Sequence, residues 1–232
     1  MTSRAPTITR KKIDIVIKVL QQRTTTTMLG EFQTRYTPFQ MLIATVMSAR
    51  TRDSTTIPIA NKLFQTYKTP NDFMQVHKAV LEKALYGIGF YKTKAKNIKA
   101  LSQILIEKHQ GIVPKTMDEL LELPGCGRKT ANCVLAYAFR IPSIPVDIHV
   151  HRISNRMGLV KTKNPEETEQ ALIKNIPKQY WLDINELFVT HGQTICLPRN
   201  PKCAICPIRE YCEYGKNNFY DKTSLKVLPI HP

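Results

Sequence analysis

The sequence predicts an all-α protein of two helical domains, and three observations support this fold class. Apolar residues recur at helical spacing in most segments, most densely in residues 39–47. Short connections punctuated by glycine or proline, such as Gly87, Gly89 and Pro114, separate these segments. We find no credible run of alternating polar and apolar residues that would indicate strands. A chain of 232 residues with 42% hydrophobic side chains can bury cores of this kind.

The individual helices are predicted from apolar spacing and terminal residues. Thr37 supplies an N-cap and Pro38 a first-turn proline for the most apolar helix, and Asp53 is predicted to cap the next one. Further helices are expected at residues 11–22, 70–76, 79–85, 91–109, 116–121, 128–139, 148–157, 165–175 and 177–194. Because Pro142 and Pro145 force extended backbone, we expect a domain boundary at this point.

The chain carries a formal charge of +16, from 34 Lys and Arg against 18 Asp and Glu. The basic residues are spread along the chain, which favours a polyanionic partner, although a basic protein without such a partner is an alternative. No segment approaches the roughly 18 apolar residues that cross a bilayer, and the polar first residues do not lead into an apolar signal core. We therefore expect an intracellular protein that does not act at a membrane.

Residues 123–132 (Leu-Pro-Gly-Cys-Gly-Arg-Lys-Thr-Ala-Asn) predict a helix-hairpin-helix that spans about residues 118–139. Gly125 and Gly127 let the backbone approach a phosphate closely, and their amides lie at the start of the second helix, where partial positive charge favours an anion. Arg128 adds a cationic side chain at the same place. The pattern therefore indicates a phosphate-binding turn.

Lys129 and Asp147 are the candidate catalytic residues. A lysine in such a turn could serve only as a phosphate contact, but the helix N-terminus and the adjacent Arg128 also favour the neutral amine that a nucleophile requires. Asp147 follows extended backbone and precedes a helix, so it is expected to be an N-cap. An anionic carboxylate at that position suits stabilisation of positive charge at a sugar carbon, or proton relay through water.

Four cysteines predict a metal centre in the loop of residues 196–212. Their spacing is Cys-x6-Cys-x2-Cys-x5-Cys, with one Cys-x-x-Cys pair, whereas zinc sites usually show two such pairs. The spacing therefore favours a structural [4Fe-4S] cluster over zinc. The four predicted ligands are Cys196, Cys203, Cys206 and Cys212.

Four other residues near these motifs are candidates for phosphate contact or for packing. Arg199 and Lys202, in the proline-containing loop between the first two cysteines, are candidate phosphate contacts, or they only solubilise the loop. Cys126 and Cys133 lie outside the cluster set and are predicted to be ordinary buried or turn residues.

Taken together, these motifs resemble the endonuclease III family of DNA base-excision repair glycosylases, over about residues 30–214. The resemblance rests on residues 123–132, Val-Asp-Ile-His-Val-His-Arg at 146–152, His-Gly-Gln at 191–193 and the cysteine spacing. It implies a six-helix barrel at residues 31–141, and a second domain with the cluster, formed by residues 1–30 and 142–216. DNA would bind in the cleft between them, and residues 217–232 would be a loosely ordered tail.

The resemblance also implies the chemistry. Lys129 would attack C1′ of a damaged nucleotide flipped out of the duplex, expel the base and form a Schiff base, after which β-elimination breaks the strand. Asp147 would assist base departure and proton transfer. The implied substrates are oxidised pyrimidines and abasic sites in double-stranded DNA. The protein would act as a monomer on DNA inside the cell, in the cytoplasm or nucleoid if the organism is a prokaryote.

Three further residues are candidate DNA contacts. Phe90 matches the family's apolar wedge, which fills the stack after flipping, although a core aromatic is the alternative. Arg50 stands where many members carry glutamine, so the resemblance does not determine lesion range or opposite-base preference. His149 is expected near the DNA strand.

Two other functions remain as alternatives. A monofunctional mismatch glycosylase would use water instead of a lysine nucleophile, and such relatives characteristically lack a lysine at the position of Lys129. A non-enzymatic helix-hairpin-helix module would use the turn for phosphate contact alone, which the presence of both Lys129 and Asp147 disfavours. A zinc-dependent transcription factor fits less well, because no helix offers an evident base-reading set.

Overall fold

The computed structural model describes residues 10–23 and 27–217, and its chain divides into two compact units. One unit comprises Met1–Thr25 and Val146–Pro232, and the other comprises Thr26–Pro145. Within the described residues every regular element is helical and there is no strand, which confirms the predicted fold class.

The unit of residues 26–145 contains eight α-helices among its described residues. They are α2 (Met28–Arg35), α3 (Pro38–Ser48), α4 (Asp53–Thr66), α5 (Pro70–Gln75), α6 (Lys78–Ala84), α7 (Tyr91–His109), α8 (Met117–Leu121) and α9 (Arg128–Cys133). The unit ends with one π-helical turn, Val134–Ala138, so the helix predicted at 128–139 changes its hydrogen-bond pattern midway. Such turns are rare and occur frequently at functional sites.

Helix α3 forms the core of this unit. Its residues 39–47 are all buried, as expected of a helix that is apolar on every side. The helix packs against α4, α7, α9 and the π-helical turn. Thr37 and Gln40 form a full capping box at its start, which confirms the predicted N-cap.

Two features of this unit differ from the sequence-based expectation. Helix α2 was not predicted, although Thr27 caps it through a bond from the Gly30 amide and Phe32 is buried. Asp53 is the first residue of α4 and not its cap, because the cap position falls on Arg52, which makes no side-chain capping bond.

The other unit contains five α-helices among its described residues. They are α1 (Arg10–Gln21), α10 (Ile148–Met157), α11 (Pro165–Asn175), α12 (Trp181–Thr194) and α13 (Glu213–Asn217). Helices α1 and α10 both pack on α12. The Tyr180 hydroxyl donates to Asp14 Oδ1 at 2.6 Å, which ties α1 to the segment that precedes α12.

Two further expectations concern the chain ends and the membrane. Of the tail predicted to be loosely ordered, only Asn217 lies inside the described residues, where it ends α13. Within residues 10–23 and 27–217, no helix has the length and apolar character that spanning a membrane requires.

Replacing Leu42 with alanine tests the importance of α3. Leu42 is 0% exposed, so the substitution should lower the free energy of unfolding by about 2–5 kcal/mol through lost burial and a residual cavity. Urea unfolding of both proteins measures the change. The matched control is Leu121→Ala at a leucine that is 41% exposed, with an expected loss of about 0.5 kcal/mol or less. Equal losses for the two variants would contradict the assignment of the core.

Candidate active site and cluster loop

The hairpin turn between α8 and α9 takes the conformation that the sequence predicts. Gly125 has φ +83°, and a Cβ there would lie 3.0 Å from Asn97 Nδ2 and 3.2 Å from Asn97 Cβ, so glycine is required for both conformation and space. Gly127 is the N-cap of α9 and is exposed. Gly125 is also exposed, and apart from the chain neighbours of Gly127 no described residue has an atom within 4 Å of a Cβ built there, so the first amides of α9 follow a turn that is open to solvent.

Cys126 closes this turn from the inside. Its amide donates to the Leu123 carbonyl at 2.9 Å, and its side chain is only 4% exposed. Burial, with a smaller contribution from Cys133, raises the pKa of the Cys126 thiol to about 12. Both cysteines are buried and outside the cluster set, as predicted, and the Cys126 thiol is unreactive at neutral pH.

Lys129 is exposed at the second position of α9. The next residues of that helix, Thr130–Cys133, are all buried and fix the helix against its unit. Farther along the chain, the Ser143 hydroxyl donates to the Asn132 carbonyl at 3.1 Å and holds the segment that follows the π-helical turn. The lysine therefore projects outward from a helix whose opposite face is rigidly packed.

Asp147 caps α10 in the other unit, as the sequence predicts. Its Oδ1 accepts hydrogen bonds from the amides of His149 at 2.9 Å and Val150 at 2.8 Å. The adjacent Ile148 is exposed, whereas Val150 is buried and anchors the helix. Both bonds end on one oxygen, so the carboxylate is held in a fixed orientation beside an exposed residue.

His149 lies against α12 of the same unit. The Nδ1 of His149 is 3.0 Å from Arg152 Nη2. A Cβ built at Gly192 would lie 2.5 Å from His149 Nδ1. Arg152 also donates to the Gly192 carbonyl at 3.1 Å and to the Cys196 carbonyl at 2.8 Å. The glycine of the His-Gly-Gln segment therefore makes room for the contact between α10 and the start of the cluster loop.

The four predicted cluster ligands line one pocket, together with Arg156 and His191. Burial raises the pKa of the Cys206 thiol to about 11, and the neighbouring cysteines add to the shift. Burial likewise lowers the pKa of His191, whose Nε2 lies 3.7 Å from Cys206 Sγ, to about 4. Among the described residues, no three His, Cys, Asp or Glu side chains are grouped so that they could hold a single metal ion.

The surroundings of this pocket fit an anionic cluster. Arg156 Nη1 donates to Cys196 Sγ at 3.4 Å, and the Gly215 amide donates to Cys212 Sγ at 3.3 Å. The same guanidinium donates to the Leu197 carbonyl at 2.7 Å and lies 4.8 Å from the ring centroid of Tyr214. Donors aimed at sulfur stabilise thiolates, which are the form that binds iron. The sequence analysis assigned no role to Arg152 or Arg156, although the two lie four residues apart on α10 and so share one face of that helix.

The cluster loop presents its basic residues to solvent. Arg199 and Lys202 are both exposed. The Lys202 amide donates to the Ile195 carbonyl at 2.9 Å, which closes the loop on the end of α12. The role of these two side chains as phosphate contacts stays a prediction.

Arg50 and Phe90, distant in sequence, lie together in the unit of residues 26–145. The Arg50 guanidinium carbon is 5.8 Å from the ring centroid of Phe90. Phe90 is 64% exposed, which excludes the alternative of a core aromatic. Both residues have left-handed backbone, with φ +54° and +57°, a conformation that is uncommon for residues of this size.

Comparison with known proteins identifies the family. Residues 43–178 match the HhH-GPD superfamily of base excision DNA repair proteins, and residues 196–212 match the iron-sulfur binding domain of endonuclease III. The second match confirms the expected iron-sulfur cluster in place of zinc.

Individual relatives agree with these matches. Endonuclease III of Thermotoga maritima is 46% identical over 190 residues, which are 80% of this chain and 89% of that protein. A non-covalent endonuclease III–DNA complex superposes with TM-score 0.81 at 36% identity, covering 90% of this chain and 98% of the other. A trapped endonuclease III–DNA covalent intermediate with an estranged adenine gives 0.79 at 35% identity, covering 90% and 98%. This chain therefore belongs to the endonuclease III family of base-excision DNA repair enzymes.

Proposed function

We propose that Lys129 is the nucleophile of the DNA glycosylase and AP lyase activity that this chain has as a member of its family. The observation that carries the proposal is the exposure of Lys129 at the start of α9, directly after the open Gly125–Gly127 turn. The turn amides bind a backbone phosphate, which places a deoxyribose next to the amine. A DNA complex of a relative with TM-score 0.81 supports duplex DNA as the partner.

The reaction follows from the chemistry of an amine and a sugar. The neutral Lys129 Nζ attacks C1′ of the flipped nucleotide, the bond from C1′ to the base breaks, and the base leaves with a proton. Opening of the sugar ring gives an iminium between Nζ and C1′. Loss of a proton from C2′ then expels the 3′ phosphate, and water releases the lysine. The covalent intermediate trapped in a relative supports this route.

Asp147 is proposed to stabilise positive charge and to transfer protons during this reaction. Its fixed carboxylate stabilises positive charge at the sugar as the base departs, and it relays protons through water. The capping bonds from His149 and Val150 keep the group oriented. The substrates proposed are oxidised pyrimidines and abasic sites, which the protein meets on DNA inside the cell.

Phe90 and Arg50 are proposed to occupy the space that the flipped nucleotide leaves. The exposed ring replaces the lost stacking, and the guanidinium beside it addresses the unpaired base on the other strand. Arginine offers donors only, so it pairs best with two neighbouring acceptors, such as O6 and N7 on the major-groove edge of guanine, where adenine has one acceptor and one donor. We therefore expect faster cleavage opposite guanine than opposite adenine, the base that is estranged in the relative's structure.

Substituting Lys129 with alanine tests the nucleophile. With an abasic duplex and borohydride, the wild-type protein should form a covalent adduct, and the Lys129→Ala variant should lose it by a factor of about 10³ or more, because the attacking amine is gone. Gel shift of the labelled strand measures the adduct. Lys83→Ala removes another exposed lysine of the same unit and should leave adduct formation unchanged. Base release without any adduct in the wild-type protein would instead indicate a monofunctional glycosylase.

The Asp147→Asn variant separates charge from helix capping. Asparagine is an equally good N-cap, so folding and DNA affinity should stay within about twofold of wild type. Loss of the charge should slow base release about a hundredfold. Single-turnover rates on a duplex with one oxidised pyrimidine measure the effect. An unchanged rate would remove Asp147 from the mechanism.

The cluster can be tested by its iron content. Purified protein should be yellow-brown and contain about four iron atoms per chain. Cys206→Ser removes one ligand and should lower iron content and thermal stability, whereas Cys126→Ser, outside the set, should keep full iron content. A colourless protein that contains zinc would overturn the cluster assignment.

A further inference from the structure

We propose that Lys94 is a positioning residue whose buried ammonium holds the α3–α4 loop (residues 49–52) and the Gly87–Phe90 turn in the arrangement that presents Arg50 and Phe90 together. The inference rests on the proposed role of that pair at the flipped nucleotide. It adds a residue that never touches DNA itself. Lys94 would act by fixing both loops before DNA binds.

The contacts of Lys94 support this role. The residue is 6% exposed, in the first turn of α7. Its Nζ donates to the carbonyls of Met47 at 2.7 Å and Ala49 at 2.5 Å, and to Thr51 Oγ1 at 3.2 Å. All three acceptors belong to the end of α3 or to the α3–α4 loop that carries Arg50. A buried amine is tolerated only with such partners, so the amine and the loop determine each other's position.

The Gly87–Phe90 turn is joined to the same contacts. The Gly89 amide donates to Thr51 Oγ1 at 3.0 Å, so one hydroxyl accepts from both Lys94 and the turn. A Cβ at Gly89 would lie 2.9 Å from the Arg50 carbonyl oxygen, and glycine is therefore needed for this approach. The amide of Lys94 donates to the Phe90 carbonyl at 3.0 Å, which starts α7 directly after the wedge.

Backbone strain explains why the hydrogen bonds of Lys94 are needed to hold the two loops. Arg50 and Phe90 both lie in the left-handed region, at φ +54° and +57°. Non-glycine residues persist there only when the surrounding structure over-determines them, and such outliers cluster at functional sites. Without the Lys94 contacts, both loops would relax to ordinary backbone, and the guanidinium and ring would separate. DNA binding would then have to order them again.

Lys99, on the same helix, separates this role from simple stabilisation. Its Nζ donates to three backbone carbonyls at the end of α5, those of Phe73 at 3.0 Å, Met74 at 2.6 Å and Val76 at 2.7 Å. Lys94 and Lys99 thus make the same kind of helix-end contact. Only the acceptors of Lys94 belong to a loop that carries a proposed DNA contact.

The experiment compares Lys94→Met with Lys99→Met. On a duplex with 2-aminopurine opposite a non-cleavable abasic analogue, Lys94→Met should reduce the protein-induced fluorescence change. It should also slow borohydride trapping at saturating DNA about tenfold, because Arg50 and Phe90 would no longer be held where they keep the nucleotide flipped. Affinity for undamaged duplex should stay within about twofold. Lys99→Met should keep both signals at wild-type level even where its melting temperature falls. Equal effects of the two variants on trapping would overturn the proposal.

A double-mutant cycle keeps the test valid if Lys94→Met folds poorly. In a background that carries both Arg50→Ala and Phe90→Ala, Lys94→Met should add less than about a twofold loss in trapping, because both groups that it positions are already gone. A full tenfold further loss would contradict the proposal. Thr51→Val removes the shared acceptor without changing the charge, and it should reproduce the loss of fluorescence change. A wild-type fluorescence change in Thr51→Val would contradict the proposal.

Failure of this inference is distinguishable from failure of the proposed function. If wild-type protein forms no borohydride adduct that depends on Lys129, the proposed function fails. If it forms that adduct and Lys94→Met does so at the same rate, only the role of Lys94 fails.

Discussion

Backbone groups left unpaired at helix ends are the constraint on which the sites of this protein depend. The first amides of α9 directly follow the hairpin turn and include that of Lys129, and the first amides of α10 orient Asp147. Carbonyls at the end of α3 hold Lys94. Buried residues anchor each of these helices, namely Thr130–Cys133 in α9, nine consecutive residues in α3, and Val150, Ile153, Ser154 and Met157 in α10.

The sequence was sufficient for features that depend on local chemistry. The capping box at Thr37, the glycines of the hairpin turn and the cysteine spacing each require particular residues at particular positions, so they could be predicted. Features that depend on tertiary packing could not be predicted from the sequence. Helix α2 has an N-cap at Thr27 but only eight residues, so its stability depends largely on packing. The π-helical turn at Val134–Ala138 has no composition signal of its own.

The same limit applies to the site. Arg50 and Phe90 were both candidates, but only the fold shows that they are paired. Arg152, Arg156, Lys94 and Lys99 donate to backbone carbonyls. A count of charges cannot distinguish such residues from surface cations, so part of the net +16 stabilises the fold and is not available to phosphates. A neutral carbonyl does not cancel the charge of a cation, so these four side chains still add to the long-range attraction to DNA, but they make fewer direct contacts with phosphates.

The burial of Cys126 has a consequence for an enzyme that works on oxidised DNA. Oxidants attack thiolates that solvent can reach, and the Cys126 thiol, 4% exposed and with a pKa of about 12, is neither ionised nor accessible. The hairpin turn between α8 and α9 therefore offers oxidants no reactive thiol at Cys126. The cluster cysteines are less deeply buried, so peroxide would damage the iron-sulfur loop first and leave the hairpin intact.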